Sequence, residues 1–211
     1  MRLLIIGASQ GTGAQAVKAA LERGHEVTAF ARSPDKLVLD SAKLTRRQGD
    51  FHQRASVDAV VPGHDAVIIT ASATRLSAFR ENPNYFSQGT GYTIDAMKSS
   101  GVKRLVVLSA LGTGESRNLS NFFVDKLIIS FLLKVPFADH ERQEELVRHS
   151  GLEWVIARPG RLTNGPARRR YVKKVEIEPV PGSISRADVA DFLVEGAEVD
   201  RWVGKAVQLG G

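Results

Sequence analysis

The chain has 211 residues, 43% of them hydrophobic and 25% charged, with a formal net charge of +6. That balance suits one well-packed globular domain, and the absence of cysteine excludes disulfides, thiolate nucleophiles and cysteine-bound metals. The apolar residues after Met1-Arg2 meet glycine too early for a secretory core, and the run Leu127 to Leu133 is far shorter than a bilayer span; the expectation is a soluble, cytoplasmic protein.

The first element is a buried strand, residues 2 to 6, which opens into Gly7-Ala8-Ser9-Gln10-Gly11-Thr12-Gly13. Glycines let such a turn tighten and let its backbone approach phosphate, while the next helix offers free amides and the positive end of its dipole. Ala14, Val17, Ala20 and Leu21 give that helix one apolar face, and Gly24 can end it. The pattern predicts a nucleotide cofactor held at the turn. A second strand, residues 26 to 31, ends at Arg32. An Asp or Glu at this place would bind the ribose hydroxyls of NAD. A guanidinium instead suits a 2′-phosphate, with Ser33 and Lys36 adding a hydroxyl and a second charge, so the expected cofactor is NADP(H). The competing interpretation makes Arg32 the start of a solvated loop.

Further strands are predicted at residues 43 to 48, 66 to 70, 104 to 108 and 152 to 157, alternating with helical segments. The fold class that follows is α/β: a Rossmann-like, doubly wound parallel sheet of order 3-2-1-4-5, one domain over residues 1–211, with ligands at the strands' C-terminal ends. Helices are expected from Tyr92 or earlier to Ser99, from Glu141 to His149, and from Arg186 to Gly196, the last capped by Ser185 with Asp188 three residues on. An apolar helix from Phe122 to Leu133 is expected to pack on the sheet, the alternatives being a lid or a subunit contact. Residues 159–185 read as a loop and short strand on the substrate side, containing the alternating run Tyr171 to Glu178, and Lys205 to Leu209 as a final edge strand.

Seven basic residues and no acidic one lie between Arg158 and Lys174. They could attract an anionic substrate through Arg161, form a nucleic-acid patch, or be a solvated loop; a reader motif for nucleic acid is absent, which makes that partner the weakest of the three. The Tyr-x-x-x-Lys pair used in alcohol dehydrogenation is also missing, since Gly89, Ala96 and Val175 stand four residues after Tyr85, Tyr92 and Tyr171. His140-Glu141 begins a zinc-type H-E-x-x-H pattern, but Glu144 occupies the second histidine's place, so no metal is expected.

Together with the glycine turn and Arg32-Ser33-Pro34-Asp35-Lys36-Leu37, the segments Gly49-Asp50, Asp65-Ala66-Val67-Ile68, Ser109-Ala110, Asp139-His140, Ser150-Gly151-Leu152-Glu153-Trp154, Arg158-Pro159-Gly160 and Ile184-Ser185-Arg186-Ala187-Asp188-Val189-Ala190 resemble NAD(P)H-binding atypical short-chain dehydrogenases of the NmrA-like and biliverdin reductase B-like flavin reductase type. The resemblance spans nearly the whole chain. It implies that Gly7, Ser9, Gln10, Gly11, Thr12 and Gly13 line the pyrophosphate and that Arg32 meets the 2′-phosphate. It further implies Asp50 and Phe51 beside adenine, Ala71, Ser72 and Ala73 past the ribose, and Ser109 with Pro159 toward the nicotinamide. His140 matches a histidine of the acceptor pocket, whereas a second pocket histidine falls at Gly160 here, so the substrate does not carry over.

Hydride transfer to a conjugated acceptor needs no strong acid, because the acceptor ring delocalises the incoming charge and positioning does most of the work. Ser109 and His140 are the candidate catalytic residues, the first orienting the nicotinamide or acceptor and the second polarising or protonating the acceptor. The expected function is an NADPH-dependent reductase of a flavin, quinone-like or other conjugated small molecule. The alternative is a redox sensor that binds NADP(H) and a protein partner without turnover. Sugar-nucleotide epimerases would require a larger C-terminal substrate region.

Overall fold

The computed structural model describes residues 1–72, 77–119 and 134–211. The first half supplies strands β1 (Arg2–Ile6), β2 (Glu26–Ala31), β3 (Leu44–Gln48), β4 (Ala66–Ile69) and β5 (Arg104–Leu108). Between them lie helices α1 (Gly11–Glu22), α2 (Arg54–Val60), the single turn α3 (Ala78–Glu81) and α4 (Tyr85–Ser100). The second half contributes α5 (Lys134–Arg148), β6 (Glu153–Pro159), β7 (Arg161–Thr163), β8 (Val172–Lys174), β9 (Ser183–Ser185), α6 (Arg186–Glu198) and β10 (Lys205–Gly210).

Eight strands form one sheet in the order β3-β2-β1-β4-β5-β6-β10-β8, parallel throughout except for β8. The predicted 3-2-1-4-5 order is therefore the observed one for its five strands. The chain alternates its apolar residues between two cores: Leu3, Ile5, Ile68 and Val106 face α1 and α6, while Leu4, Ile6, Val67 and Val107 face α2 and α4. Burial on both faces explains why these strands read as continuous apolar runs rather than alternating ones.

Several boundaries move. The last strand is not an edge: β8, from the alternating run, lies antiparallel along it, with Gln208 opposite Lys174. Helix α4 runs from Tyr85, the earlier start left open by the sequence, and α5 covers Lys134–Arg148, more than the expected Glu141 to His149. The opening of α4 is tied to α5, because the buried Asp139 carboxylate accepts the Phe86 amide (2.5 Å) and the Ser87 hydroxyl (2.5 Å). Free amides at a helix start are thus satisfied from another element, which no local spacing announces. The expected Ser185 cap of α6 is present, its Oγ accepting the Asp188 amide at 3.0 Å. The apolar segment from Phe122 to Leu133 lies outside the described residues. Among the described residues no helix is long and apolar enough to cross a membrane.

Candidate functional site

The turn between β1 and α1 is shaped by close approach. Gly7 has φ +85°, and a Cβ there would stand 2.8 Å from the Ala71 backbone; at Gly13 it would stand 2.2 Å from the Gly7 carbonyl oxygen. Gly13 is buried and holds α1 against the strand end, so its part is packing, behind any phosphate. Helix α1 carries no acidic residue in its first turn, and Gln10 makes no side-chain cap. Among the described residues its leading amides remain donors without a side-chain acceptor.

A recess of about 190 Å³ opens beside this turn at the C-terminal ends of β1 and β2. It collects Gly7, Ser9 and Gln10 from the turn, Arg32, Ser33 and Lys36 from the end of β2, Asp50 and Phe51 after β3, and Ala71 and Ser72 after β4. These ten candidates lie far apart in sequence and share one cavity. Gly11, Thr12, Ser109, Pro159 and Arg161 do not line it: Gly11 is exposed on the first turn of α1, Thr12 and Pro159 are buried, and Arg161 is exposed on β7. Ala73 lies outside the described residues.

Arg32 and Lys36 are exposed, and neither has a carboxylate within ion-pair distance among the described residues. The recess also contains two residues that motif reading missed, His52 and Tyr85, whose rings lie 4.3 Å apart. His52 bonds Asp50 Oδ1 at 3.1 Å and the Tyr85 carbonyl at 2.9 Å. Burial pushes the Tyr85 phenol up, against the opposing pull of the Arg32 charge. Tyr85 is not a phenolate of the dehydrogenase kind, in keeping with the absent lysine partner.

At the C-terminal ends of β5 and β6 lies a second cluster. Ser109 is buried and donates its hydroxyl to Glu144 Oε1 at 2.6 Å. Arg158, 1% exposed, donates to both Glu144 oxygens at 3.0 and 2.5 Å and to Glu115 at 2.7 Å. Burial opposes the guanidinium charge, and the two carboxylates outweigh it, holding Arg158 above its ordinary pKa. The arginine in turn holds the Glu115 carboxyl below the usual range. Glu144 stands one helical turn after His140, so the residue that spoils the zinc pattern is the one that engages Ser109; the i, i+4 spacing was the available signal.

His140 stacks on Phe86 with centroids 4.0 Å apart and planes at 16°. Its Nδ1 donates to Gln143 Oε1 at 3.0 Å, and Gln143 Nε2 donates to Thr90 Oγ1 at 2.9 Å. Burial lowers the imidazole pKa. With Nδ1 on Gln143 Oε1, Nε2 is the ring nitrogen without a hydrogen-bond partner among the described residues.

The basic run is corrected as well. Arg158 is inside the protein, Lys173 pairs with Glu195 and Lys174 with Glu178. What reads as one charged stretch is divided between buried Arg158, exposed Arg161 on β7, the paired Lys173 and Lys174, and the loop residues Arg168 to Arg170, of which Arg169 comes within 4.0 Å of Glu22.

A family model for NAD(P)H-binding proteins matches residues 7–199. The chain belongs to this NAD(P)H-binding family. A Bacillus subtilis relative, the uncharacterized sugar epimerase YhfK, is 26% identical over 99% of this chain and 94% of its own length. Among solved structures, a short-chain dehydrogenase/reductase from Veillonella parvula in complex with NADP matches with TM-score 0.80 at 17% identity, over 100% of this chain and 94% of that one. ChuY, an anaerobilin reductase from Escherichia coli O157:H7, matches with TM-score 0.81 at 21% identity, over 100% and 97%. At such identities the two solved structures establish the fold. The family shown is NAD(P)H-binding, and the recess lies where β1 and β2 present their C-terminal ends, the place at which open α/β sheets bind ligands.

Proposed function

We propose that this protein is an NADPH-dependent reductase that delivers hydride to a flavin, quinone-like or other conjugated acceptor. The observation that carries the proposal is a pair of cations without a carboxylate partner among the described residues, Arg32 and Lys36, beside Ser33 at the rim of the recess. A carboxylate at this point would repel a 2′-phosphate; a guanidinium with no acidic partner accepts it in charge-assisted bonds. The recess fits that end of a dinucleotide, with Asp50, His52 and Tyr85 around the base.

Bound NADPH supplies the hydride. The chain's own groups hold and orient. Free amides of α1 meet the pyrophosphate, and Ser109, its proton held by Glu144, keeps lone pairs to accept from an amide group of the nicotinamide or the acceptor. The proton that completes reduction is delivered later, by water or by His140 or Ser109 beside the acceptor. A conjugated acceptor tolerates this because its ring spreads the charge first. ChuY and the sanguinarine reductase of Eschscholzia californica, 31% identical over 56% of this chain, bear names of the same reaction class.

The sensor alternative draws on one observation: the buried arginine and the serine hydroxyl are both committed to Glu144, and among the described residues no free acid stands beside them at the strand ends. Calorimetry with NADPH and NADH, followed by loss of nicotinamide absorbance with a panel of flavins and quinones, tests both. Preference for NADPH that disappears in Arg32→Ala, with saturable turnover reduced in Ser109→Ala, supports the reductase. Binding without turnover on any acceptor supports the sensor. Equal affinity for NADH that survives Arg32→Ala overturns the cofactor assignment.

A further inference from the structure

Arg186 belongs to a segment with no part in the site described above, yet it stands at the mouth of the glycine turn. Helices α1 and α6 lie side by side and point the same way. Arg23, after the end of α1, pairs with Asp191 and Glu198 of α6, while at the other end Arg186, the first residue of α6, approaches Gly11, the first residue of α1. A Cβ on Gly11 would be 3.8 Å from the Arg186 Nε. The short pairing of β7 with β9, Leu162 opposite Ile184, brings Asn164 alongside, and Asn164 Oδ1 accepts from the Arg186 Nη1 at 2.7 Å.

The electrostatics of this position are unusual. A cation beside a helix start is in an unfavourable field, and such a residue ordinarily has a carboxylate nearby. Arg186 has none within ion-pair distance among the described residues; Asp188, the nearest acid along α6, spends its carboxylate on the Ser185 hydroxyl and the Arg168 and Arg169 amides. The two helix starts also differ. Ser185 caps α6, whereas α1 has no side-chain cap and no acidic residue in its first turn. A guanidinium without a carboxylate and amides without a side-chain cap thus meet beside Gly11, in the glycine turn, among the described residues.

We infer that Arg186 is a binding residue for the cofactor pyrophosphate, held in place by Asn164 beside the first residue of α1. This rests on the dinucleotide reading above and adds a division of labour to it: Arg32 distinguishes NADPH from NADH, and Arg186 binds what the two share.

The test is a set of dissociation constants, measured by calorimetry for NADPH, NADH and ADP-ribose, on the wild-type chain and on Arg186→Gln, Arg186→Lys and Asn164→Ala. Thermal unfolding of each variant without nucleotide serves as the check on folding. Arg186→Gln should weaken all three ligands by one common factor of about ten to a hundred, the loss of one charge-assisted contact. Arg186→Lys should recover part of that loss, and Asn164→Ala should cost several-fold while leaving the arginine itself in place. Unchanged affinities in Arg186→Gln overturn the assignment. So does a loss confined to NADPH, which would put the arginine on the 2′-phosphate, or a rise only in the acceptor KM. A wild-type chain that binds none of the three would instead remove the dinucleotide reading and this assignment with it.

Discussion

Glu144 grips Arg158 with both carboxylate oxygens, at 3.0 and 2.5 Å, inside the protein where β6 meets α5. Both partners are almost wholly buried, so each depends on the other to offset the cost of leaving water. Removing one partner of such a pair leaves an unbalanced charge and costs about 3–5 kcal/mol. Glu144→Gln is therefore expected to lower the urea midpoint sharply at constant slope, and Ser109→Ala, which deletes one bond to the same carboxylate, to cost about 1–2 kcal/mol. Glu115→Gln should change stability far less, since the Glu115 side chain is 59% exposed. Equal losses in the two glutamate variants would contradict the unequal burial.

His140 gives the stability a defined pH dependence. Its ordinary value is 6.5 and burial lowers it in the folded chain, so between the two values the unfolded chain binds the extra proton. The contribution is fully present above about pH 6.5 and is lost as pH falls through the folded value. In urea titrations, wild type should lose more stability than His140→Gln on going from about pH 7.5 to about pH 5.5. Imidazole resonances of His140 that titrate at or above the ordinary value would count against the lowered pKa in the folded chain.

Much of this was legible because each signal was local. The apolar runs, the Gly7 to Gly13 turn and the Ser185 cap lie within a few residues of what they determine, and so do Arg32 and Lys36 beside the end of β2. Arg158 was not legible: in sequence it heads a basic run, and only its place in a strand flanked by β5 and β10 buries it, with a partner one helix upstream. Tyr85 and His52 share a recess because α4 begins at Tyr85, a start set by Asp139 from α5. Strand β8 reaches the sheet edge through an antiparallel return with no fixed spacing. In each case the deciding contact joins distant segments.

The glycine turn makes a packing prediction with its own control. Gly13→Ala would drive a methyl into the Gly7 carbonyl oxygen, a backbone atom that cannot swing aside, and should destabilise by about 1–3 kcal/mol or more while weakening nucleotide binding. Gly91 lies within α4 with open space where a Cβ would go. Gly91→Ala should stabilise by about 0.5–1 kcal/mol through helix propensity. Denaturant unfolding of both variants checks the contrast; a neutral Gly13→Ala would mean that the turn and α1 are not in the close contact described.

Arg32 and Lys36 should differ in how they serve a 2′-phosphate. A guanidinium can bond two phosphate oxygens in a fixed fork, whereas the lysine acts as a mobile point charge. Lys36→Ala is thus expected to weaken NADPH by several-fold, and Arg32→Lys by more than Lys36→Ala despite keeping the charge. Both cations are exposed, so salt screens them, with a Debye length near 8 Å at physiological ionic strength and about 3 Å at 1 M. NADPH affinity should therefore fall more steeply than NADH affinity as salt is raised, and the two slopes should approach each other in the Arg32→Ala, Lys36→Ala double variant. Calorimetric titrations at several salt concentrations read this directly. Parallel slopes in the wild-type chain would show that neither cation meets the extra phosphate.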